Sequence, residues 1–502
     1  MSRVVADTEV VPRKLPRQVW PICLLAILPL AYLIYFFDLS ATGLLGPDEP
    51  RYAAIAREMA RSGDWVTPRL WSGPWFEKPA LIYWMGGAGF RLGLGTELAP
   101  RLPVALLAVA FLAFYWWRLR GEFGERAATL STLILGSSGL YVAYSQNGVT
   151  DLPLTAAYAA AMLLALPWVA RGETRLLPAA AALFGVAALA KGLVPVFLAA
   201  PLLMGLRPFG RIRDWLRLRV WLAFCAVAVP WYLLCYTRNG WPFIHDFFVV
   251  HTFSRVTSDA LKHVQPFWYY VPVLLAGLAP WTPLVGLLGG RERYRDRRRL
   301  FLAVWAAAVL VEFSIPVNKL AGYILPMLPA MAALAGLTLD EAKDARRWLA
   351  GCAALLIAFP VTAMVLPAAV LNGLSRAPRP VFGVAWVAMA AVAAALAALV
   401  WQLEARGRRV AAVLTVAAGA AVGIAYLKAV ATPQLDRGVS ARGLAREIGG
   451  RRDEVCVGNV KRDWEYGLDY YLVTQLPHCE SAPRRWRVEA APGGRAHLVE
   501  AR

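Results

Sequence analysis

The 502-residue chain is 59% hydrophobic and 17% charged, with 53 Lys and Arg against 33 Asp and Glu and a formal net charge of +20. Soluble domains carry about 25% charged residues, so an ordinary water-soluble enzyme is excluded. The positive surplus sits in short loops beside apolar runs, where it reads as a membrane-topology signal and not as a nucleic-acid surface.

Apolar runs near the roughly 20 residues that cross a bilayer recur along the chain. In order they are Trp20–Phe37, Leu102–Trp117, Ala127–Tyr144, Leu152–Ala170, Leu176–Ala190, Leu193–Leu206, Val220–Tyr236, Phe267–Leu288, Leu300–Phe313, Leu320–Leu339, Trp348–Val370, Val381–Trp401 and Val410–Leu427. The expectation is an α-helical polytopic membrane protein with about 13 spans, filling residues 1–431. Basic clusters such as Arg118/Arg120/Arg126, Arg207/Arg211/Arg213 and Arg297/Arg298/Arg299 fall in alternate loops. Those loops and the N-terminus are therefore assigned to the cytoplasm, and the C-terminus to the outside. No small-residue cleavage site follows the first run, which reads as an uncleaved helix.

Two outer loops are long, 38–98 and 238–266. In the first, Tyr52, Ile55, Ala56 and Met59 recur at helical spacing. Glu49–Ser62 is expected as an amphipathic helix on the membrane surface, with Asp48 as its cap. Ala80–Leu92 is expected as a second helix. The second loop holds His245, His251 and His263. Ionisable groups gather on this side: Asp48, Glu49, Glu77, Lys78, Asp151, Lys191, His251, Arg255 and Lys319. Such groups beside apolar segments are costly and face a cavity or water-filled site, so their convergence predicts one outward-facing site. Beyond residue 431 the apolar runs stop. Residues 432–502 are expected as a small α/β module, with a helix at Ser440–Ile448, a strand at Glu454–Val457, a helix at Trp464–Leu472 and a strand at His497–Glu500. Its two cysteines, Cys456 and Cys479, are placed for a disulfide if the module lies in an oxidising compartment, and the sequence leaves this open.

The run Gly46-Pro-Asp-Glu-Pro-Arg-Tyr52, followed by Phe76-Glu-Lys-Pro79, resembles the first outer loop of the lipid A aminoarabinose transferases. These belong to the wider GT-C family of polyprenyl- and dolichyl-phosphate-sugar glycosyltransferases, which includes the protein mannosyltransferases. Lys191-Gly192, the stretch from His251 through Arg255 to Pro280-Trp281, and Lys319–Tyr323 resemble further segments of that family. The resemblance spans most of residues 20–340 and is only hydropathic downstream. It implies a GT-C fold and an inverting transfer of a sugar, aminoarabinose or another, from a polyprenyl phosphate donor. The acceptor would be lipid A or another envelope molecule, on the outer side of the bacterial inner membrane.

Residue by residue, the resemblance makes Asp48 the acceptor-side carboxylate, as general base or orienting group, and Asp151 a second carboxylate that partners the acceptor or the acid/base site. Both also suit plain helix caps. Lys78, Arg51 and Arg255 would hold the donor phosphate, with Lys191, Lys319 and Tyr323 as further contacts; lysines at span ends also snorkel without function. Glu77 and His251 match positions resembling a divalent-metal site, with zinc the ion suited to them. The competing class is a transporter or flippase of an envelope lipid. The absence of evident symmetry between the halves and the outer placement of the charges disfavour it.

Overall fold

The structure is a computed structural model and describes residues 27–204, 211–253, 264–372, 383–491 and 494–501. The N-terminal basic cluster, the start of the first expected span, Arg207, Arg255 and His263 lie outside the described residues, and of His251 only the backbone is described.

The body is helical. Among the described residues, seven helices are long and apolar enough to cross a membrane, or eight if the bent pair Glu125–Gly136 and Gly139–Ser145 counts as one. The other expected spans that are described are short or broken. Leu176–Ala190 and Leu193–Leu206 appear as Leu177–Lys191 and Val194–Met204, and Phe267–Leu288 divides into three short pieces. The breaks have local causes. The pair at 125–145 bends by 64° across Ser137 and Ser138. There Trp281 Nε1 donates to Ser137 Oγ at 2.9 Å, and the Gly139 amide donates to Ala279 O at 3.0 Å. Backbone bonds lost at the kink are thereby replaced, as a low-dielectric interior demands.

The helices that position the site are α1 (Asp48–Ser62), α2 (Leu81–Arg91), α3 (Gly95–Phe123), α4 (Asp151–Leu164) and α5 (Leu177–Lys191). α4 is buried from Leu152 to Leu164. Its alanines let α3 and α5 approach closely, the usual solution where lipid removes the hydrophobic drive between helices. α1 starts at Asp48, with Pro50 in the first turn where a missing N–H costs nothing, and ends at Gly63 in the left-handed region with φ 75°. Two expectations about α1 are corrected. Asp48 is its first residue and caps nothing, because its carboxylate accepts a hydrogen bond from Arg51 instead. Nor is α1 a surface helix: every residue from Glu49 to Arg57 is buried, the two arginines Arg51 and Arg57 included. α2, α3 and the C-terminal module pack against it; Arg57 donates to Tyr470 O of the module, and Arg51 pairs with Glu77 of the loop before α2.

The last long helix of the body, Arg409–Val439, runs past the expected boundary at residue 431. The module that follows has helix α6 (Arg442–Ile448), helix α7 (Arg462–Leu472) and a three-stranded sheet. A two-residue pair, β1 (Arg69–Leu70) and β2 (Gly73–Pro74), lies in the first outer loop. In the module β3 (Val455–Val457) runs parallel to β4 (Trp486–Ala490), which pairs antiparallel with β5 (Ala496–Glu500). β4 has no counterpart among the expected strands, since in Trp486-Arg487-Val488-Glu489-Ala490 only Val488 is fully buried. Cys456 and Cys479 form a disulfide. Closing a loop of 23 residues stabilises such a module by about 3 kcal/mol on loop-entropy grounds.

The module is bonded to the body. Tyr470 Oη donates to Thr96 O at 2.8 Å, the Leu44 amide donates to Tyr471 Oη at 2.8 Å, and Arg442 donates to Ala41 O at 2.6 Å. Inside it Asp469 is buried, and burial pushes its carboxyl pKa up to about 7, against the single amide bond from Leu476. The unfolded value is about 3.9, so between these limits the folded module holds the extra proton. The contribution to stability is complete below the unfolded value, declines as pH rises, and is lost once pH has passed the folded value of about 7. The whole loss is on the order of 2–4 kcal/mol. Asp469→Asn is expected to abolish it. Protease cleavage within residues 440–491, followed from pH 5 to pH 8, checks this: susceptibility should climb in the wild type and stay nearly level in the variant.

Candidate active site

The first outer loop builds half of the site locally. The β1–β2 turn passes through Trp71 and Ser72, both at positive φ (53° and 68°), and reverses the chain so that the Trp75 amide bonds Pro68 O at 2.8 Å. That return lays Trp75, Glu77 and Lys78 beside the first turn of α1. Arg51 is the hub. Its Nη2 reaches Asp48 Oδ1 at 2.5 Å and Glu77 Oε2 at 2.9 Å. Trp75 Nε1 donates to Glu77 Oε2 at 3.2 Å, and Lys78 Nζ lies 3.4 Å from Glu77 Oε1. Burial works against the Arg51 cation, but Glu77, Tyr52 and Asp48 more than offset it and hold its pKa above the usual guanidinium value. Arg51 therefore stays charged at any pH of interest. Of the cluster, Asp48 is the open member: its side chain is 47% exposed, against 4% for Arg51 and 3% for Glu77.

The second half comes from chain ends of the body helices. Asp151 opens α4 and Lys191 closes α5, and the two meet at 2.8 Å. Tyr323 places its ring 4.7 Å under the Lys191 ammonium. Asp48 lies within electrostatic reach of Lys191, so the two halves adjoin. The structure thus gathers Asp48, Arg51, Glu77 and Lys78 in one cluster and Asp151, Lys191 and Tyr323 in a second. Lys319 has another setting. It is buried, and its Nζ donates to Pro316 O at 2.5 Å and Gln265 O at 3.2 Å, clamping the segment that leads to Tyr323. Two of its three N–H donors are engaged by backbone carbonyls, which leaves one for a phosphate oxygen.

The described residues offer no metal-binding set. No three His, Cys, Asp or Glu side chains gather among them, and Glu77 already accepts from Arg51 and Trp75 beside Lys78. A metal ion at Glu77 would have to compete with the two cations Arg51 and Lys78.

Two supporting elements escaped the sequence reading. One is the pairing of Glu49 with Arg101. Glu49, next to Asp48, faces inward and accepts from both Nε and Nη2 of Arg101 at 2.7 Å, and from the amides of Leu45 at 2.8 Å and Gly148 at 2.9 Å. Arg101 also donates to the carbonyls of Thr42 and Gly43. This buried pair ties the loop before Asp48, the start of α3 and the loop before Asp151 into one frame. The other element is Tyr466 of α7, whose ring lies 5.2 Å from the Arg51 guanidinium, which also has the Trp75 ring at 5.7 Å. The C-terminal module is thereby part of the site's wall. No periodicity signals Tyr466, which lies over 400 positions from Arg51. Tyr466→Ala is expected to lower kcat/KM by roughly tenfold, the scale of a partly desolvated cation–π contact, while Tyr466→Phe keeps it. Steady-state transfer rates of the two variants check this.

The comparisons with known proteins agree with the geometry. The family model of dolichyl-phosphate-mannose-protein mannosyltransferases matches residues 77–234. The undecaprenyl phosphate-alpha-4-amino-4-deoxy-L-arabinose arabinosyl transferase of Serratia proteamaculans is 30% identical over 96% of this chain and 92% of its own length. That of Aeromonas salmonicida is 32% identical over 66% of this chain and 64% of its own. Among solved structures, ArnT from Cupriavidus metallidurans bound to undecaprenyl phosphate superposes with a TM-score of 0.77 at 25% identity, covering 96% of this chain and 98% of that one. A helical membrane body with carboxylates and cations paired at the mouths of its helices, matched along nearly its whole length in this way, is a GT-C glycosyltransferase. Within that class, the chain belongs to the family of undecaprenyl phosphate-aminoarabinose arabinosyl transferases.

Proposed function

We infer that this glycosyltransferase takes a sugar, with 4-amino-4-deoxy-L-arabinose the first candidate, from an undecaprenyl phosphate donor and attaches it to lipid A at the outer face of the inner membrane. The observation that supports it most is the pairing of an open carboxylate, Asp48, with the buried Arg51 and the half-buried Lys78 and Lys191. In the reaction the acceptor oxygen attacks the anomeric carbon and the bond from that carbon to the donor phosphate oxygen breaks, which inverts the centre. Undecaprenyl phosphate leaves with the electron pair. Lys78 and Lys191 are set to neutralise the charge growing on that phosphate, where preorganised electrostatics counts most. Asp48 orients the acceptor; it takes the proton if the acceptor is a hydroxyl and only positions it if the acceptor is an ionised phosphate. Asp151 holds Lys191 in place.

The arginine-rich loops support an N-terminus in the cytoplasm, with the site and residues 440–502 in the periplasm; those two ends require an odd number of spans, with which the expected 13 agrees. Mass spectrometry of lipid A from cells with the gene, without it, and with Asp48→Asn tests the reading. A sugar-sized increment is expected with the wild type alone. Identical profiles in all three would sink it.

A further inference from the structure

The helices that bring the catalytic groups together also share their opposite ends. α3 runs about 40 Å from Gly95 to Phe123, at 1.5 Å per residue. α4 continues through the short helix Leu166–Arg171, and α5 begins at Leu177. Where these ends meet, far from Asp48, lies a cavity of about 370 Å³ lined by Arg118, Glu122, Pro167, Arg171, Glu173 and Arg175 among others. Three guanidinium groups face two carboxylates there.

The carboxylates are already engaged. Glu122 accepts from Arg171 at 3.1 Å and from Arg118 at 3.4 Å, and its backbone carbonyl accepts from Arg298 at 2.5 Å. Glu173 accepts from Arg171 Nε at 2.5 Å. Two donors are left over. Arg118 is only 7% exposed, and its Nε is buried without a hydrogen-bond partner. Arg175 is exposed, with no hydrogen bond or ion pair among the described residues. A buried guanidinium N–H without an acceptor is costly, and an anion with several oxygens would satisfy both groups at once. Arg120 adds to the positive potential at this end, while Arg217 and Arg298 are offset by Asp214 and Asp296 at 2.6 and 2.9 Å.

We propose that this cavity binds a phosphate-bearing anion, the headgroup of an anionic phospholipid from the leaflet opposite the transfer reaction. Basic pockets between membrane helices on the cytoplasmic side serve this chemistry. The ends of α3, α4 and α5 flank it, so occupancy would brace the same helices that carry Arg101, Asp151 and Lys191 at the other end. The site stands apart from the catalytic cluster, and the proposal does not depend on which sugar is transferred.

The test uses the full chain, purified and stripped of lipid, and native mass spectrometry of retained phosphatidylglycerol against phosphatidylethanolamine. Arg175→Gln is the main variant, since Arg175 is exposed and its loss leaves the packing intact. Arg118→Gln is read only after its thermal unfolding matches the wild type. Arg406→Gln, an exposed arginine that does not line the cavity, is the control. The wild type and Arg406→Gln are expected to retain phosphatidylglycerol selectively, and Arg175→Gln about fivefold less well, the effect of roughly 1 kcal/mol for one arginine near a membrane surface. Displacement by glycerol 3-phosphate as effectively as by the lipid would make a soluble phosphate ester the ligand, with the anion site upheld. Equal retention by the wild type and Arg175→Gln, or equal loss with Arg406→Gln, would overturn the proposal.

Discussion

Asp48→Asn is expected to reduce sugar transfer by about 10²–10⁴-fold, the range of a general base or its equivalent in orientation, with little change in folding. The side chain is half exposed, and its one strong bond, to Arg51, is duplicated by the Arg51–Glu77 pair. Asparagine fills the same volume but supplies neither negative charge nor a proton acceptor of comparable strength. Loss of rate with retained donor binding separates this from damage to the cations proposed to hold the donor phosphate. Lys78→Ala should do the reverse, weakening donor binding, if that ammonium neutralises the leaving phosphate as proposed. Transfer rates at saturating and at limiting donor distinguish the two.

A second large effect is expected from Arg101→Met, and it is structural. Arg101 is fully enclosed and satisfied by Glu49 and by the carbonyls of residues 39, 42 and 43. Methionine is of similar length but leaves the Glu49 carboxylate buried with only the amide donors of Leu45 and Gly148. Removing one member of a buried pair costs about 3–5 kcal/mol, so this variant should fail to accumulate or unfold at markedly lower temperature. The double change Glu49→Gln with Arg101→Met should recover part of the stability, since no buried charge then remains. If the single variant is as stable as the wild type, the frame assigned to this pair is wrong.

How much of this was legible in the sequence depends on how far apart the partners lie. Asp48, Glu77 and Lys78 sit within one loop, 38–98, and their adjacency to apolar segments marks them without any knowledge of packing, whereas Arg51 in the same loop stands out only through the family resemblance. Asp151 and Lys191 stood out individually as charges at span ends, and the structure supplied their 2.8 Å contact. Arg101 reads as one more arginine at the mouth of a span, because nothing local says that Glu49 turns inward to meet it. Tyr466 was invisible for a stronger reason: it reaches Arg51 only through the docking of the C-terminal module by Tyr470, Tyr471 and Arg442. Lys319 shows the converse, a charge in a promising place that turns two of its three protons to backbone carbonyls. Hydropathy foresaw the membrane body but not its breaks, since it does not register the kink at Ser137 and Ser138 or the division of residues 267–288 into short pieces.

The most direct measurement is release of undecaprenyl phosphate from its aminoarabinose conjugate by the purified protein in proteoliposomes, with and without lipid A. Release that requires lipid A, matches the sugar gained by it, and disappears with Asp48→Asn is the result predicted here. No release by the wild type under any pairing of donor and acceptor, alongside movement of the intact conjugate across the bilayer, would contradict it.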